Sequence, residues 1–444
     1  METLQELKSV DDLALYREGA TDLESFESYQ KDPLQFLLRA YRRHGPIYRT
    51  HFRSQIWVVM GGIEANDFVW KNTRLWSYNI GNAPFREEMG PDHVTALDGE
   101  HHRQKRKILK SSFDQAPAMR FLPQFNQMLA RELAAAAAAP AVDLMKLWAD
   151  IITKINSKTV AQADIPDDVL GRMARWEFQM LHGLFLEHER PAYIARNEYR
   201  ALKAEVMMWL GRIVDERLAH PGKYDDNFER TIQARAGEEG GLTDRDRLIN
   251  DLYLVLLAGT DNTSDLINWA LQLTAADPGW LSELRGELAS WDGVDVMALA
   301  HMPKLKATIM ETQRLRPGVM VLTKHAAETF EFSGYRIPAD TKIIHAVSLG
   351  HILEECYPDP LAFKPKRFVE DGKFVPRSIG LFGGGTHICL GRNHSLMQSP
   401  VVVAQVLKNY DLVYQARPHD SIVAGSNGSR RERELWARLT PRAA

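Results

Sequence analysis

The segment Phe382-Gly383-Gly384-Gly385-Thr386-His387-Ile388-Cys389-Leu390-Gly391 constrains this chain more than any other, because a helical pattern from Arg392 to Leu407 follows it at once. Successive glycines let a backbone pass close to something flat or bulky. A cysteine just ahead of a helix N-terminus lies in positive potential, which depresses a thiol pKa, so Cys389 reads as a thiolate. Thiolates serve as nucleophiles, as zinc ligands or as the axial ligand of haem iron. A nucleophile needs a base, and the loop identifies none. Zinc needs two ligands beyond His387 and Cys389, and none is nearby. A phosphate loop would carry Gly-Lys-Ser/Thr after its glycines, and this one does not. The bland alternative is a small buried cysteine in a glycine turn.

Composition narrows the field. Lys plus Arg number 55 and Asp plus Glu 58, a formal charge of -3, which argues against a coat for nucleic acid or acidic membrane. With 45% hydrophobic and 25% charged residues the 444-residue chain has ordinary globular composition. Only Cys356 and Cys389 occur, which excludes a disulfide scaffold and a four-cysteine zinc site and points to a reducing compartment. The opening Met-Glu-Thr-Leu-Gln-Glu-Leu-Lys has no apolar run of signal or anchor length, and no later apolar stretch reaches 18 residues. The expectation is a cytoplasmic protein without nucleic-acid partner or membrane anchor.

Residues 33 to 44 have helical apolar spacing and stop at Gly45-Pro46; Ile47 to Met60 reads as an antiparallel hairpin. From about 100 to 315 the pattern is mainly helical, including the run Ala134 to Ala139. Residues 218 to 242 carry Pro221-Gly222, many charges and Gly240-Gly241 and read as an exposed connection. A long helix then starts at the N-cap pair Thr243-Asp244 and runs to about 275. After 317 come short extended pieces, Val319 to Thr323, Thr329 to Phe332 and Tyr335 to Pro338. The fold class expected is mainly α with a small β region, as one domain over 1–444, with 1–32 an N-terminal extension and 33–444 catalytic.

Phe382, Gly385, His387, Cys389 and Gly391, as Phe-x-x-Gly-x-His-x-Cys-x-Gly, resemble the haem-binding signature of the cytochrome P-450 superfamily. The resemblance implies haem b (iron protoporphyrin IX) between the long central helix and the Cys-loop helix, with Cys389 its iron ligand and His387 on a propionate. Thiolate electron donation favours cleavage of the dioxygen bond. Glu311 and Arg314 resemble the family's Glu-x-x-Arg and Arg367 its third member, implying a buried structural network; alone, Glu311 and Arg314 would be a surface ion pair. His102 and Arg106, one helical turn apart, resemble a second propionate pair, while Lys105, Lys107 and Lys110 face outward as a basic patch for a ferredoxin or flavodoxin-type electron donor. Lys324 stands where relatives carry a propionate-binding Arg.

In the central helix, Ala258-Gly259-Thr260-Asp261-Asn262-Thr263 resembles the family's oxygen-handling pattern. Ala258 and Asn262, at i and i+4, share the face toward haem. Asp261 matches the proton-delivering acid. Asn262 replaces the usual Thr, and Thr263 is turned about 100° away. An amide still donates and accepts hydrogen bonds, so relay through Asn262 and water, or substrate-assisted delivery, is expected. Phe85, Leu181, Phe185, Val319 and Val321 fall where relatives enclose an apolar substrate. The leading expectation is a monooxygenase that uses O2 and separately supplied electrons to hydroxylate or epoxidise an apolar small molecule, such as a terpenoid, a steroid or another natural product. Its rivals are a reductase-independent peroxygenase or isomerase, and a haem or ligand-binding protein without turnover.

Overall fold

The computed structural model describes residues 7–52, 55–113, 119–184, 189–236, 244–370, 373–415, 422–424, 429–431 and 434–442. The main helices are α1 (Asp22–Lys31), α2 (Pro33–His44), α3 (Gly62–Lys71), α4 (Ala83–Met89), α5 (Gly99–Lys110), α6 (Leu122–Ala138), α7 (Leu144–Ala161), α8 (Asp167–Leu184), α9 (Asn197–Ala219), α10 (Asn227–Ala236), α11 (Arg245–Leu257), α12 (Thr260–Ala276), α13 (Pro278–Ala289), α14 (Pro303–Leu315) and α15 (Arg392–Asn409). Local signals set their ends. The Asp32 side chain accepts Gln35 N–H at the start of α2, Pro33 opens it and Gly45, at φ +81°, closes it.

A five-stranded sheet is built from β1 (Leu15–Tyr16), β2 (Ile47–Phe52), β3 (Gln55–Gly61), β4 (Leu322–His325) and β5 (Lys342–Ala346), ordered β1-β2-β3-β5-β4. The expected hairpin is its centre, with Ile47 opposite Met60. Residues 8–31 take part in the same architecture: Lys8–Ser9 pairs with Tyr335–Ile337, β1 pairs with β2, and Leu13, Tyr16 and Tyr29 are buried.

The helical core packs α7, α12, α14 and α15 together through residues such as Trp148, Ile267, Leu271 and Val402. A second core, centred on Trp176, Tyr253 and Phe228, joins α8 to α11. These layers fix α12 against α15, so the start of the central helix faces the cysteine loop.

Two expectations need correction. The stretch 218–242 contains α10, where Phe228 is 0% exposed. Two of the stretch's charges are buried against partners just outside it, Asp226 with Arg217 at 2.8 Å and Arg235 with Asp251 at 2.5 Å, while Lys223 and Asp225 remain exposed. Gly240, Gly241 and Thr243 lie outside the described residues. The long helix of 244–275 is two helices, α11 and α12, separated by a turn at Ala258-Gly259, and Asp244 caps α11 by accepting Arg247 N–H at 3.1 Å.

Candidate functional site

The cysteine loop is folded by its glycines. Gly383 and Gly385 have φ of +66° and +65°, which side-chain-bearing residues rarely adopt. A Cβ on Gly384 would stand 2.5 Å from the Trp70 ring, and one on Gly385 2.7 Å from Thr73 Cγ2. The loop is therefore pressed on the end of α3. Cys389 N–H donates to Phe382 O at 2.8 Å, closing the turn.

The Cys389 side chain opens into a cavity of about 360 Å³. Ala258, Gly259 and Asn262 border the same space from the helix break, and all three have exposed surface toward it. Burial pushes the Cys389 thiol up; the Gly391 N–H, the Arg106 guanidinium and the Arg392 N–H pull it down without prevailing. The expected net depression is thus corrected: the helix N-terminus acts on the sulfur, but desolvation is larger. A metal ion at the sulfur would reverse this, since a coordinating thiol is deprotonated outright.

Basic and aromatic groups gather at the cavity edge. The His387 ring lies between those of Tyr78 and His102, at centroid distances of 3.4 and 3.6 Å. His387 Nε2 is 3.1 Å from Leu97 O, whereas His102 Nε2 is buried without a hydrogen-bond partner. Burial lowers the His387 pKa to about 3 and that of His102 to about 4. Lys324 is 5% exposed, donates to the Tyr78 hydroxyl at 3.1 Å, and is lowered to about 7 by burial. Arg106, half-buried, borders the cavity and is lowered by burial. Tyr78 was not singled out by sequence reasoning; a lone tyrosine in a variable region carries no spacing signal.

These residues fit haem. A soft sulfur faces the cavity from the loop, the helix break faces it from across, and an orphaned imidazole nitrogen and a guanidinium on its border would receive carboxylates, whereas Lys324 is not among the residues that border it and is held behind them on Tyr78.

Glu311, Arg314 and Arg367 meet in the interior. Arg314 grips Glu311 with two bonds of 2.8 Å, and Arg367 Nε reaches Glu311 Oε1 at 3.2 Å. Arg314 also donates to His351 O at 2.7 Å and Pro360 O at 2.5 Å. His351 Nδ1 lies 3.0 Å from Arg314 O, and its Nε2 accepts Gly380 N–H at 3.1 Å. The trio is thereby tied to the base of the cysteine loop.

Other placements differ from expectation. Lys105 does not face outward: it is 4% exposed and bonds Asp92 and Asp251, each at 2.6 Å. Only Lys107 and Lys110 of the expected trio are exposed. Thr263 is turned from Asn262 as its offset of about 100° requires: it is buried at the border of the cavity, and its hydroxyl lies 3.2 Å from Ser395 Oγ. Asp261 is half-buried beside the break. Val319 borders the cavity together with Leu322, but Val321 points to the opposite side, into the core under the sheet, and is 1% exposed. Phe85 and Leu181 pack on the Trp176 core instead of lining the cavity, with Phe85 stacked on His93 at 5.5 Å. Phe185 lies outside the described residues. Cavity-lining residues not anticipated include Asn156, Phe113, His394 and Gln398.

Comparison with known proteins agrees with this geometry. A family model described as Cytochrome P450 matches residues 197–428. A Mycobacterium tuberculosis protein named as cytochrome P450 135B1 is 25% identical over 392 residues, covering 85% of this chain and 81% of its own length. Abscisic acid 8'-hydroxylase 1 of Arabidopsis thaliana is 24% identical over 430 residues, covering 91% and 85%. The solved structure of retinoic acid bound cyanobacterial CYP120A1 superposes with a TM-score of 0.82 at 20% identity, covering 98% of this chain and 100% of that one, a likeness of fold.

Proposed function

Because the chain belongs to the cytochrome P450 family and is a haem b-dependent monooxygenase using O2 and a redox partner, we propose the roles of its residues and the kind of molecule it oxidises. The observation that carries the reading is that Cys389 and the Ala258-Asn262 break open onto one cavity. Haem, when bound, supplies the activation of dioxygen and the transfer of one oxygen atom to carbon. Cys389 is its iron ligand, within the loop formed by Phe382, Gly385 and Gly391. His102, Arg106, His387 and Lys324 would receive the propionates, and a carboxylate beside Lys324 would favour the protonated ammonium that burial alone disfavours.

Asn262, exposed to the cavity, holds a water by donating and accepting hydrogen bonds, and Asp261 beside it feeds protons to that water. Thr263 also borders the cavity, but its hydroxyl is engaged with Ser395, so it ties α12 to α15 instead of carrying the relay. The Asn262→Ala variant tests this: product formed per reduced nicotinamide consumed is expected to fall, and unchanged coupling refutes a direct role. Asn262 also favours a second reading, in which hydrogen peroxide supports turnover without a reductase; product from peroxide alone decides it.

The substrate is an apolar small molecule, admitted beside Val94, Val319, Leu322 and Leu254, which border the cavity. Hydroxylation of a terpenoid, steroid or comparable natural product fits this lining, and the name of the Arabidopsis relative specifies a hydroxylase. The electron donor is a ferredoxin or flavodoxin-type protein. Phe382 and Ile388 line both the cavity and a groove behind the loop whose other residues include Lys306, Lys373 and Arg392, all exposed. The groove offers an acidic donor a basic rim one loop away from the sulfur, and Lys107 and Lys110 are further exposed cations on α5. Among the described residues no helix is long and apolar enough to cross a membrane. We take the whole chain as one catalytic unit working in the cytoplasm. Titration of the purified protein with apolar natural products, following the haem Soret band, tests the whole reading. A blue shift with one chemical class identifies the substrate class, and no Soret band after haem supplementation refutes Cys389 as ligand.

A further inference from the structure

The break in the central helix is braced from outside. Leu256 O, on its N-terminal side, accepts the Asn156 Nδ2–H at 3.1 Å. Asn156 Oδ1 in turn accepts the Gln398 Nε2–H at 2.8 Å. On the other side of the break, Thr260 Oγ1 lies 3.4 Å from the hydroxyl of Thr153, one turn before Asn156 on the same face of α7. Asn156 is 9% exposed and Gln398 4%, and both border the cavity that Cys389, Ala258 and Asn262 share. Three elements meet here: α7 carries Asn156, α15 carries Gln398 and the last turn of α11, just before the break, carries Leu256.

In a continuous helix, Leu256 O would take the N–H of Thr260. A side-chain amide that occupies the carbonyl competes with that bond, and insertion of a side chain into the ladder is a recognised cause of kinks. The glycine at 259 does not enforce a break, since a glycine within a helix costs only about 1 kcal/mol relative to alanine. We propose that Asn156, oriented by Gln398, is a positioning residue that holds the central helix open between Leu256 and Thr260 and so sets where Ala258 and Asn262 stand relative to Cys389. Its importance for oxygen activation rests on the reading of this cavity as the haem site; the brace itself does not.

The donor is the amide of Asn156, which Leu cannot replace and which Ser is too short to replace. Hydrogen–deuterium exchange of the haem-loaded protein is compared between wild type, Asn156→Leu and Asn156→Ser over 257–263, with α6 as internal control. Both variants are expected to close the ladder and slow exchange at Thr260 by about tenfold, the population ratio that one net hydrogen bond confers, with α6 unchanged. The same variants are expected to lose product per electron pair while keeping the carbon monoxide spectrum of the reduced haem-thiolate. Gln398→Leu, which leaves the donor but removes its orientation, is expected to shift exchange in the same direction by less. Unchanged exchange at 257–263 in folded Asn156→Leu or Asn156→Ser overturns the proposal. If Asn156→Leu does not fold, the serine variant alone decides between the same two results. Failure of the wild-type protein to show a haem-thiolate spectrum would overturn the cavity reading, and exchange without haem would still decide the brace.

Discussion

Lys105, Asp92, Arg235 and Asp251 form a closed ring of alternating charge, and removing two members of opposite sign should cost less than the two single removals added together. The four contacts are Lys105–Asp92 at 2.6 Å, Asp92–Arg235 at 2.8 Å, Arg235–Asp251 at 2.5 Å and Asp251–Lys105 at 2.6 Å. Lys105, Arg235 and Asp251 are almost wholly buried, whereas the Asp92 side chain is 28% exposed. Burial pushes the Asp92 carboxyl up, yet Lys105 and then Arg235 hold it below the usual range. In Asp251→Asn two buried cations share Asp92, leaving one charge uncompensated. Breaking a buried pair in this way costs about 3–5 kcal/mol. At about 2.1 cal/mol/K per residue, a chain of 444 residues unfolds with an entropy of about 0.9 kcal/mol/K, so the midpoint should fall by about 3–5 °C. Lys105→Met combined with Asp251→Asn leaves Arg235 paired with Asp92, so the double variant should be less destabilised than the sum of the singles by about 1–3 kcal/mol. Thermal and urea unfolding of the four proteins of this cycle measures both quantities. A single-variant loss under about 1 kcal/mol, or an interaction energy under about 0.5 kcal/mol, refutes the ring as a charge-balanced unit.

Other outcomes follow from the site. Cys389→Ser is expected to abolish the thiolate signature in the carbon monoxide spectrum of the reduced protein; an unaltered spectrum would remove Cys389 from the iron. Arg314→Lys leaves charge but not the two-pronged grip on Glu311, and is expected to lower stability by about 2–4 kcal/mol and yield protein poor in haem, read from the Soret-to-protein absorbance ratio. Lys324→Met removes a buried cation and is expected to speed haem transfer to a scavenger protein at neutral pH; unchanged loss would show that Lys324 makes no propionate contact. His351 is held at about 3 in the folded protein, chiefly by burial, against about 6.5 unfolded. The unfolded chain therefore binds the extra proton first as pH falls, so stability present above about 6.5 should be lost progressively down to about 3. His351→Gln should flatten that slope in denaturation measured between pH 4 and 7.

The parts of the molecule that were legible from sequence are those whose reasons are local. The cysteine loop could be read because glycine, histidine and cysteine occupy fixed spacings, and α2 because apolar residues recur at helical spacing over 33–44 and Gly45-Pro46 marks its end. Glu311 and Arg314 fall together because they are one turn apart, and only the resemblance brought in Arg367, 56 residues on. What was hidden depends on partners distant in the chain. Lys105 looks like one more surface lysine in a basic helix until Asp92 and Asp251 converge on it. Residues 218–242 look like an exposed connection because Pro221-Gly222, many charges and Gly240-Gly241 are turn and solvent signals, yet Asp226 and Arg235 find buried partners in Arg217 and Asp251. Val321 and Val319 are two apart in a short extended piece and would share a face in a regular strand. The chain enters β4 only at Leu322, so alternation did not apply before it, and the two point to different places. The thiol direction was missed because the helix N-terminus is visible in sequence and desolvation is not.

The sheet order carries a consequence for how the chain comes off the ribosome. β2 and β3 can pair as soon as residue 61 has emerged, but the free edge of β3 is the parallel partner of β5, where Val58 stands opposite Ile343. At roughly 5–20 residues per second the gap between these strands takes on the order of 15–60 s to synthesise. Throughout that interval a nascent hairpin presents Ile56, Val58 and Met60 with an unpaired backbone edge, the form in which strands associate with the wrong chain. Yield of soluble protein should therefore depend on translation speed and on chaperones that cover this edge, and slowing synthesis upstream of β5 should lower it while leaving the finished enzyme unchanged.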